Sequence, residues 1–482
     1  MEYEAVIGIE THVELATDSK MFCGCPAHFG ADPNTNVCPV CLGLPGALPV
    51  PNEKAIEWIV MIGLALECEI AHRSQFHRKN YFYADQPKNY QISQFDVPVC
   101  SAGMLEIEAD GRSTRVRINR VHMEEDTGKM IHIGGGGRIK DADHSLLDFN
   151  RSGIPLVEIV TEPDLATPQQ ARAYAQEVQA TVLALGVSDA KLEEGSMRFD
   201  ANVSLRPKGT GRLGTKVEVK NMNSFRSLER ALTYEIERQT AALEAGEQIY
   251  LETRHWDESA GVTGGMRSKE ESSDYRYFPE PDLVPIEITD TRRDAIRQGL
   301  PELPAARRSR FASLGLDPAS VAVLMSGGLE LAGIFEGACE AGADPKTIAN
   351  WVTGEVTAFL RRESVQLGET PLTAEHLFEL ERLCAAGDLS STAAKQVLVG
   401  VLAGEGSPAI VARARDLIQI SDAGALATQI DQVLADHPEE YQRLRDGDAK
   451  IIGYLVGQVM QITAGRADPK VVSSILAEKA RG

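Results

Sequence analysis

The sequence predicts an α+β fold in which strands and helices mix up to about residue 292 and helices alone follow. Three observations carry that expectation. Period-two alternation marks strands at Tyr3–Leu15 and again at Met197–Leu205. From about Asp290 the apolar spacing and the cap residues turn helical. Finally, Gly404–Pro408 breaks the helical run. The chain therefore divides into a mixed α/β domain with antiparallel strands over 1–292, an all-helical domain over 293–406 and a small helical tail domain over 407–482. At 482 residues it is too long for a single core.

In the first strand Ala5, Ile7, Ile9 and Val13 point one way and Glu10, His12 and Glu14 the other. Same-face side chains on a strand lie roughly 7 Å apart, so two acids and a histidine share one face. Next come Cys23-Gly-Cys25 and, twelve residues on, Cys38-Pro-Val-Cys41. Two close pairs at this separation fit a four-thiolate structural zinc site with no open coordination position. His28 is a poorer substitute ligand, since all four thiols are available. Asn52 caps a helix over Glu53–Cys68. His77 to Tyr83, followed by Asp85, Lys88, Tyr90 and Gln91, interleaves bases with aromatics. That suits an RNA end or a nucleotide, and equally a tyrosine-rich core strand with exposed lysines.

A strand over Thr114–Val121 runs into His122-Met-Glu-Glu-Asp-Thr-Gly-Lys129. Adjacent carboxylates held together raise one another's pKa unless a cation neutralises them, and magnesium or calcium suits their oxygens. A solvated acidic turn is the alternative. Apolar parity shifts between Val116 and Met123, which one extra residue near Asn119–Arg120 would explain as a bulge. Gly134 to Gly137 lacks the Gly-Lys-Ser/Thr ending of a P-loop and reads as a hairpin tip. Glu158 stands alone in the apolar run Ile154–Thr161, so it is paired, metal-bound or facing water at a sheet edge. Glu10, His12, Glu124, Glu125 and Glu158 together would make an oxygen-rich magnesium site with one imidazole.

Pro168 opens a helix to about Leu185. Met197, Phe199, Ala201, Val203 and Leu205 then alternate with Arg198, Asp200, Asn202 and Ser204, and Lys216–Lys220 returns as the second strand of a hairpin. The charged face of this hairpin, with Arg198, Asp200, Glu218, Lys220 and Asn221, is either plain surface or the wall of an active site. A helix follows over Ser224–Gly246. The polar, turn-rich stretch from Arg254 to Asp282 reads as loops over the sheet. Beyond it, Pro301–Leu314, Pro318–Met325, Leu329–Ala341, Pro345–Glu363 and Thr373–Ala386 are helical by pattern and caps.

A net charge of −21 excludes a uniformly basic nucleic-acid binder, so any RNA contact must be local. No apolar run approaches the ~20 residues that span a membrane. The N-terminus is acidic and enters a strand at once, so no signal peptide is expected and the protein reads as cytoplasmic. Eight cysteines, four of them clustered, suit a reducing compartment.

Assembled, these stretches resemble the GatB/GatE family, the B subunit of aspartyl/glutamyl-tRNA amidotransferases. The resemblance runs nearly end to end. It rests on Val6-Ile-Gly-Ile-Glu-Thr-His-Val-Glu-Leu15, Arg78-Lys-Asn-Tyr-Phe-Tyr83, Tyr90-Gln-Ile-Ser-Gln94, the His122–Asp126 stretch, Lys191–Arg206 and Tyr275-Arg-Tyr-Phe-Pro-Glu-Pro-Asp282. It implies an N-terminal cradle, a helical domain and a YqeY-like tail that grips tRNA. It implies ATP-dependent phosphorylation of the side-chain carboxylate of Glu-tRNA(Gln) or Asp-tRNA(Asn). Ammonia released by the amidase subunit GatA would then displace the phosphate, with the small subunit GatC bracing the heterotrimer. Under it Glu10, His12, Glu124, Glu125 and Glu158 look like magnesium ligands or their immediate surroundings. Cys23, Cys25, Cys38 and Cys41 resemble a zinc knuckle found in some members. Lys79, Lys88, Arg198 and Lys220, with Glu125, become candidates for catalysis and phosphate or acceptor-end contact. Lys450, Arg466 and Lys470 become candidates for tRNA binding. A stand-alone metal-dependent hydrolase and a zinc-stabilised RNA-binding scaffold are the two competing readings of the same residues.

Overall fold

The computed structural model of the chain describes residues 2–134, 142–268, 275–326, 328–419, 423–463 and 465–481. Strand β1 (Tyr3–Glu14) buries Ile7, Ile9, Thr11 and Val13 and leaves Glu10, His12 and Glu14 half-buried on its other face, as period two requires. The cysteine-bearing stretch that follows carries almost no regular structure. It ends at Asn52, whose side chain accepts from the amides of Lys54 and Ala55 and so starts helix α1 (Glu53–Ala65). Next come β2 (Glu69–Ile70), β3 (Arg73–Ser74), β4 (His77–Asn80), β5 (Tyr90–Ser93), β6 (Cys100–Ala109) and β7 (Arg112–Glu125). The hairpin β8 (Lys129–Ile133) and β9 (His144–Asp148) leads to β10 (Pro155–Thr161). Of the glycine run expected at its tip, Gly135 to Gly137 lie outside the described residues.

Helix α2 (Pro168–Ala184) opens with Thr167 accepting from the Gln170 amide at 3.1 Å and proline in its first turn. Strands β11 (Met197–Pro207) and β12 (Val217–Met222) precede α3 (Phe225–Glu244), capped by Ser224 on the Ser227 amide at 2.9 Å. The unit closes with β13 (Glu252–Asp257), β14 (Val262–Ser268), β15 (Phe278–Pro279), β16 (Ile286–Glu287) and α4 (Asp290–Gln298), and α5 (Pro304–Ser313) follows. Among the described residues nine strands form one sheet in the order β14-β13-β12-β11-β1-β10-β7-β6-β2, antiparallel except between β12 and β13. Helices α1, α2 and α3 cover its apolar face, where Ile7, Val121, Val157, Phe199 and Tyr174 belong to one core. The opposite face carries the acids and histidines.

The parity shift in β7 is a bulge. Arg120 pairs with Val160 and Ile118 with Thr161, so Asn119 is the extra residue. The stretch expected to loop over the sheet instead extends it as β13 and β14. Its polar composition hid the strands because Arg254 and Thr263 are not solvated. Both reach Glu235 of α3, whose side chain is fully buried, and Arg254 also donates to Glu252 at 2.8 Å.

The chain splits into two compact units, Met1–Ala306 and Arg307–Gly482. The first extends past the composition change near Asp290 because Ile296, Leu300 and Leu303 pack against the core of the sheet. The second is helical. It begins within α5, whose Phe311 joins its core, and continues with α6 (Pro318–Ser326), α7 (Gly328–Glu340) and α8 (Pro345–Trp351), which runs through a π-helical turn (Val352–Val356) into α9 (Thr357–Glu363). Then come α10 (Ala374–Ala385), α11 (Ser391–Leu402), α12 (Pro408–Ala414), α13 (Ala423–Asp436), α14 (Pro438–Arg445), α15 (Ile451–Ile462) and α16 (Pro469–Arg481). Two cores serve this unit. Helix α12, placed with the tail by the Gly404–Pro408 break, buries Val411 and Ala412 in the earlier one, and the later core begins at Leu426.

Candidate active site

The register of the sheet assembles the site. His12 on β1 sits opposite Glu158 on β10, and Glu158 opposite His122 on β7, so three strands set an imidazole, a carboxylate and an imidazole in one row. Glu124 stands two residues along β7, on the same face. Glu158 Oε2 lies 3.6 Å from His12 Nε2 and 3.3 Å from His122 Nε2, and Glu124 Oε1 lies 3.5 Å from His122 Nε2. Because β10 is a central strand, Glu158 is buried rather than facing water at an edge. Glu124 also accepts from Ser93 Oγ at 2.8 Å and Gln91 Nε2 at 3.0 Å, with Lys79 Nζ at 3.4 Å.

Burial alone would discharge these groups, but their mutual fields win. Burial works to lower His122, yet Glu158 and Glu124 lift it to about 9. Burial works to raise Glu124, yet Lys79 and His122 bring it down to about 2. The same contest leaves Glu158 well below, and His12 above, its ordinary range. His12, Glu124 and Glu158 each offer a ligand atom, and the three atoms lie within 4.8 Å of one another.

A second group lies beside the first. Glu10 pairs with Asp200 of β11, and their ligand atoms lie within 4.8 Å of one another and of one from Glu218 of β12. Lys220 Nζ bridges this group, 2.5 Å from Asp200 and 3.0 Å from Glu218. Asn202 donates to Glu10 at 2.9 Å. Burial and then Glu158 push the Glu10 carboxyl up. Both groups line one cleft of about 380 Å³, which Lys79, Phe95, Tyr275 and Tyr277 also border.

Glu125 points elsewhere. It accepts from Lys88 Nζ and, at 2.8 Å, from the Ile92 amide. This buried pair borders a separate cavity of about 140 Å³ shared with Cys23 and Cys41. Arg198 donates to Asp126 at 2.6 Å and stands 4.0 Å from Glu14. Burial and then Asp126 push the Glu14 carboxyl up to about 9, so Glu14 holds a proton against its neighbour.

The four cysteines converge. Their sulfurs lie within 4.8 Å of one another, and Cys38 and Cys41 are 3.9 Å apart. That matches the edge, about 3.8 Å, of a tetrahedron with 2.3 Å metal–sulfur bonds. The Cys38 amide lies 3.1 Å from Cys41 Sγ, and the buried Lys20 ammonium 3.7 Å from it. Hydrogen bonding from Cys23, and further the Lys20 charge, bring Cys41 down to about 4.

Residues 5–294 match the model of the GatB/GatE catalytic domain and residues 333–480 that of the GatB domain. The chain belongs to the GatB/GatE family. It is 51% identical over 487 residues to the B subunit of the aspartyl/glutamyl-tRNA(Asn/Gln) amidotransferase of Acaryochloris marina, covering all of this chain and 98% of the relative. Proteins of the same name from Thermosynechococcus vestitus and Carboxydothermus hydrogenoformans are 51% and 48% identical, each over 99% of this chain and 97% and 99% of their own length.

In this family member the four acids and one histidine grouped from the sequence part into three places. His12, Glu124 and Glu158 meet, Glu10 joins Asp200 and Glu218, and Glu125 turns to Lys88. Lys79 and Lys220 line the cleft, whereas Arg198 is committed to Asp126 outside its lining. Asn221 turns away to the Trp256 carbonyl at 3.0 Å. In the second unit Lys450 and Lys470 are exposed at the starts of α15 and α16, and Arg466 pairs with Asp416. His122 escaped the sequence reading as a site residue, although it shares the parity of Glu124.

Proposed function

We propose that this chain is the B subunit of a tRNA-dependent amidotransferase, a glutamine-dependent carbon–nitrogen ligase. It uses ATP to phosphorylate the side-chain carboxylate of Glu-tRNA(Gln), Asp-tRNA(Asn) or both. A substrate carboxylate oxygen bonds to the γ-phosphorus as ADP leaves. Ammonia then bonds to the acyl carbon as phosphate leaves with release of a proton, giving Gln-tRNA(Gln) or Asn-tRNA(Asn). The ammonia comes from an amidase subunit, GatA, and a small subunit, GatC, completes a cytoplasmic heterotrimer. The observation that carries this reading is the convergence of both acidic groups with Lys79 and Lys220 in one cleft of the family's catalytic domain.

The chemistry brings ATP, a carboxylate and a leaving phosphate together, so the residues must supply positive charge and fixed positions. His12, Glu124 and Glu158, with Glu10, Asp200 and Glu218 beside them, offer the oxygen-rich donor set that suits magnesium. Bound magnesium would neutralise phosphate charge and hold the nucleotide. Lys79 and Lys220 face the same space and stay protonated, since neighbouring carboxylates outweigh burial and hold both above the ordinary lysine range. His122, Ser93 and Gln91 orient the carboxylates. Cys23, Cys25, Cys38 and Cys41 hold a structural zinc ion, with Lys20 balancing the thiolate charge. Lys450, Arg466 and Lys470 contact tRNA.

The deciding experiment supplies the protein and its partner subunits with ATP, magnesium, free ammonia and Glu-tRNA(Gln) or Asp-tRNA(Asn), and measures amide formation. Conversion of either is the expected result, and the ratio sets the substrate range. Binding of tRNA without conversion would overturn the reading in favour of a zinc-stabilised RNA scaffold.

A further inference from the structure

The cleft that holds both acidic groups has one aromatic wall. Phe95 and Tyr277 stack in parallel, with ring centroids 4.4 Å apart and planes 13° from coincidence. Tyr275 meets Tyr277 edge-on at 6.0 Å, and Lys79 Nζ stands 5.3 Å from the Tyr275 ring centroid. His77, itself buried, presents its ring at 70° to Phe95 at 6.3 Å. The Tyr277 hydroxyl is pushed up by burial and, against Lys79, by Glu124 and Glu158, which ties the wall to the carboxylates. Yet Phe95 remains 55% exposed, although one of its faces is covered by Tyr277. An aromatic ring supported from behind, fixed at its edge and left open toward a charged cleft is the arrangement that stacks a nucleobase.

We propose that the open face of Phe95, backed by Tyr277, is a stacking platform for an adenine base. This rests on the amidotransferase reading, in which two substrates carry adenine: ATP, and the 3′-terminal adenosine that bears the amino acid. Either would send its reacting group from the platform toward Lys79 and the acidic groups.

The test uses the complex with its partner subunits. KM is measured separately for ATP and for aminoacyl-tRNA in wild type, Phe95→Ala and Phe95→Trp. Loss of one base stack corresponds to a rise of roughly tenfold or more in KM. A rise for ATP alone places the nucleotide on Phe95. A rise for aminoacyl-tRNA alone places the terminal adenosine there, and Phe95→Trp restores either. Unchanged KM values, an equal rise in both, or loss of subunit association in Phe95→Ala would overturn the platform. A direct readout runs alongside: the fluorescence of the introduced indole, with wild type as background, is titrated with ATP and with an oligonucleotide ending in CCA. Quenching by one of them is expected, and quenching by neither overturns the proposal. If the wild-type complex makes no amide, the parent reading fails, and this titration still decides the platform by itself.

Discussion

Glu158 is shared by two imidazoles, and its replacement tests the site most directly. Glu158→Gln keeps the shape but removes the charge that, against burial, raises the titration of both His12 and His122. The expected outcome is loss of tRNA-dependent ATP cleavage with the partner's glutaminase still measurable, and wild-type cleavage would sink the assignment. In chelator-treated protein a pH effect follows with a definite sign. The folded His122 value, about 9, exceeds its ordinary 6.5, so its stabilisation is fully present below pH 6.5 and lost as pH rises through 9. Thermal unfolding should therefore show the gap between wild type and His122→Gln closing toward alkaline pH, and a gap that is constant from pH 6 to 10 would contradict this.

Glu125 shows what the sequence could and could not convey at this scale. Neighbours on a strand face opposite ways, so Glu124 and Glu125 could not both enter one cleft, and that signal was present in the numbering. The meeting of Glu10 with Asp200 and Glu218 was not, because it depends on which strands pair and in what register. We expect Glu125→Ala to abolish tRNA-dependent ATP cleavage through Lys88, left buried without its partner. Removing one member of a buried pair costs roughly 3–5 kcal/mol. Denaturant unfolding should show a clear loss for Glu125→Ala and a smaller one for Glu125→Gln, which still accepts from the Ile92 amide. Equal stability of all three proteins would sever the link.

Among the elements, the strands with clean alternation and the helices with Asn52, Thr167 and Ser224 caps were legible because their determinants are local. So was the bulge at Asn119. Strands β13 and β14 were not, since their polar residues are answered by Glu235 of the preceding helix, a pairing that alternation within the strands does not reveal. The cysteine stretch carries almost no regular structure, and under the proposed zinc reading the metal adds to its order. Cys41→Ser, or removal of zinc by a chelator, should lower the unfolding temperature of the N-terminal unit, and full stability after chelation would contradict a structural zinc. Lys20→Met should weaken zinc retention by roughly 10- to 100-fold while leaving all four ligands in place, as loss of a supporting charge does at other metal sites. A competition titration with a chromogenic chelator reads this directly, and unchanged affinity would remove Lys20 from the site.

For the whole molecule the question is how a chain of net charge −21 holds a polyanion. Long-range attraction is absent, so affinity must come from a few cations that release counterions where they touch phosphate. Lys450 and Lys470 are exposed at helix starts in the second unit, whereas Arg466 is tied to Asp416. The three candidates are therefore not equivalent. Removing one cation that touches phosphate should flatten the plot of log affinity against log salt by about 0.7–0.9. The double variant Lys450→Ala with Lys470→Ala should lower the slope for aminoacyl-tRNA by about twice that, with KM for ATP unchanged. Arg466→Ala should change it less, because its charge is already answered. Filter binding between low and moderate salt measures the slope. A double variant with the wild-type slope would place tRNA on another part of the chain, and a larger effect from Arg466→Ala would mean that the Asp416 pair opens when tRNA binds.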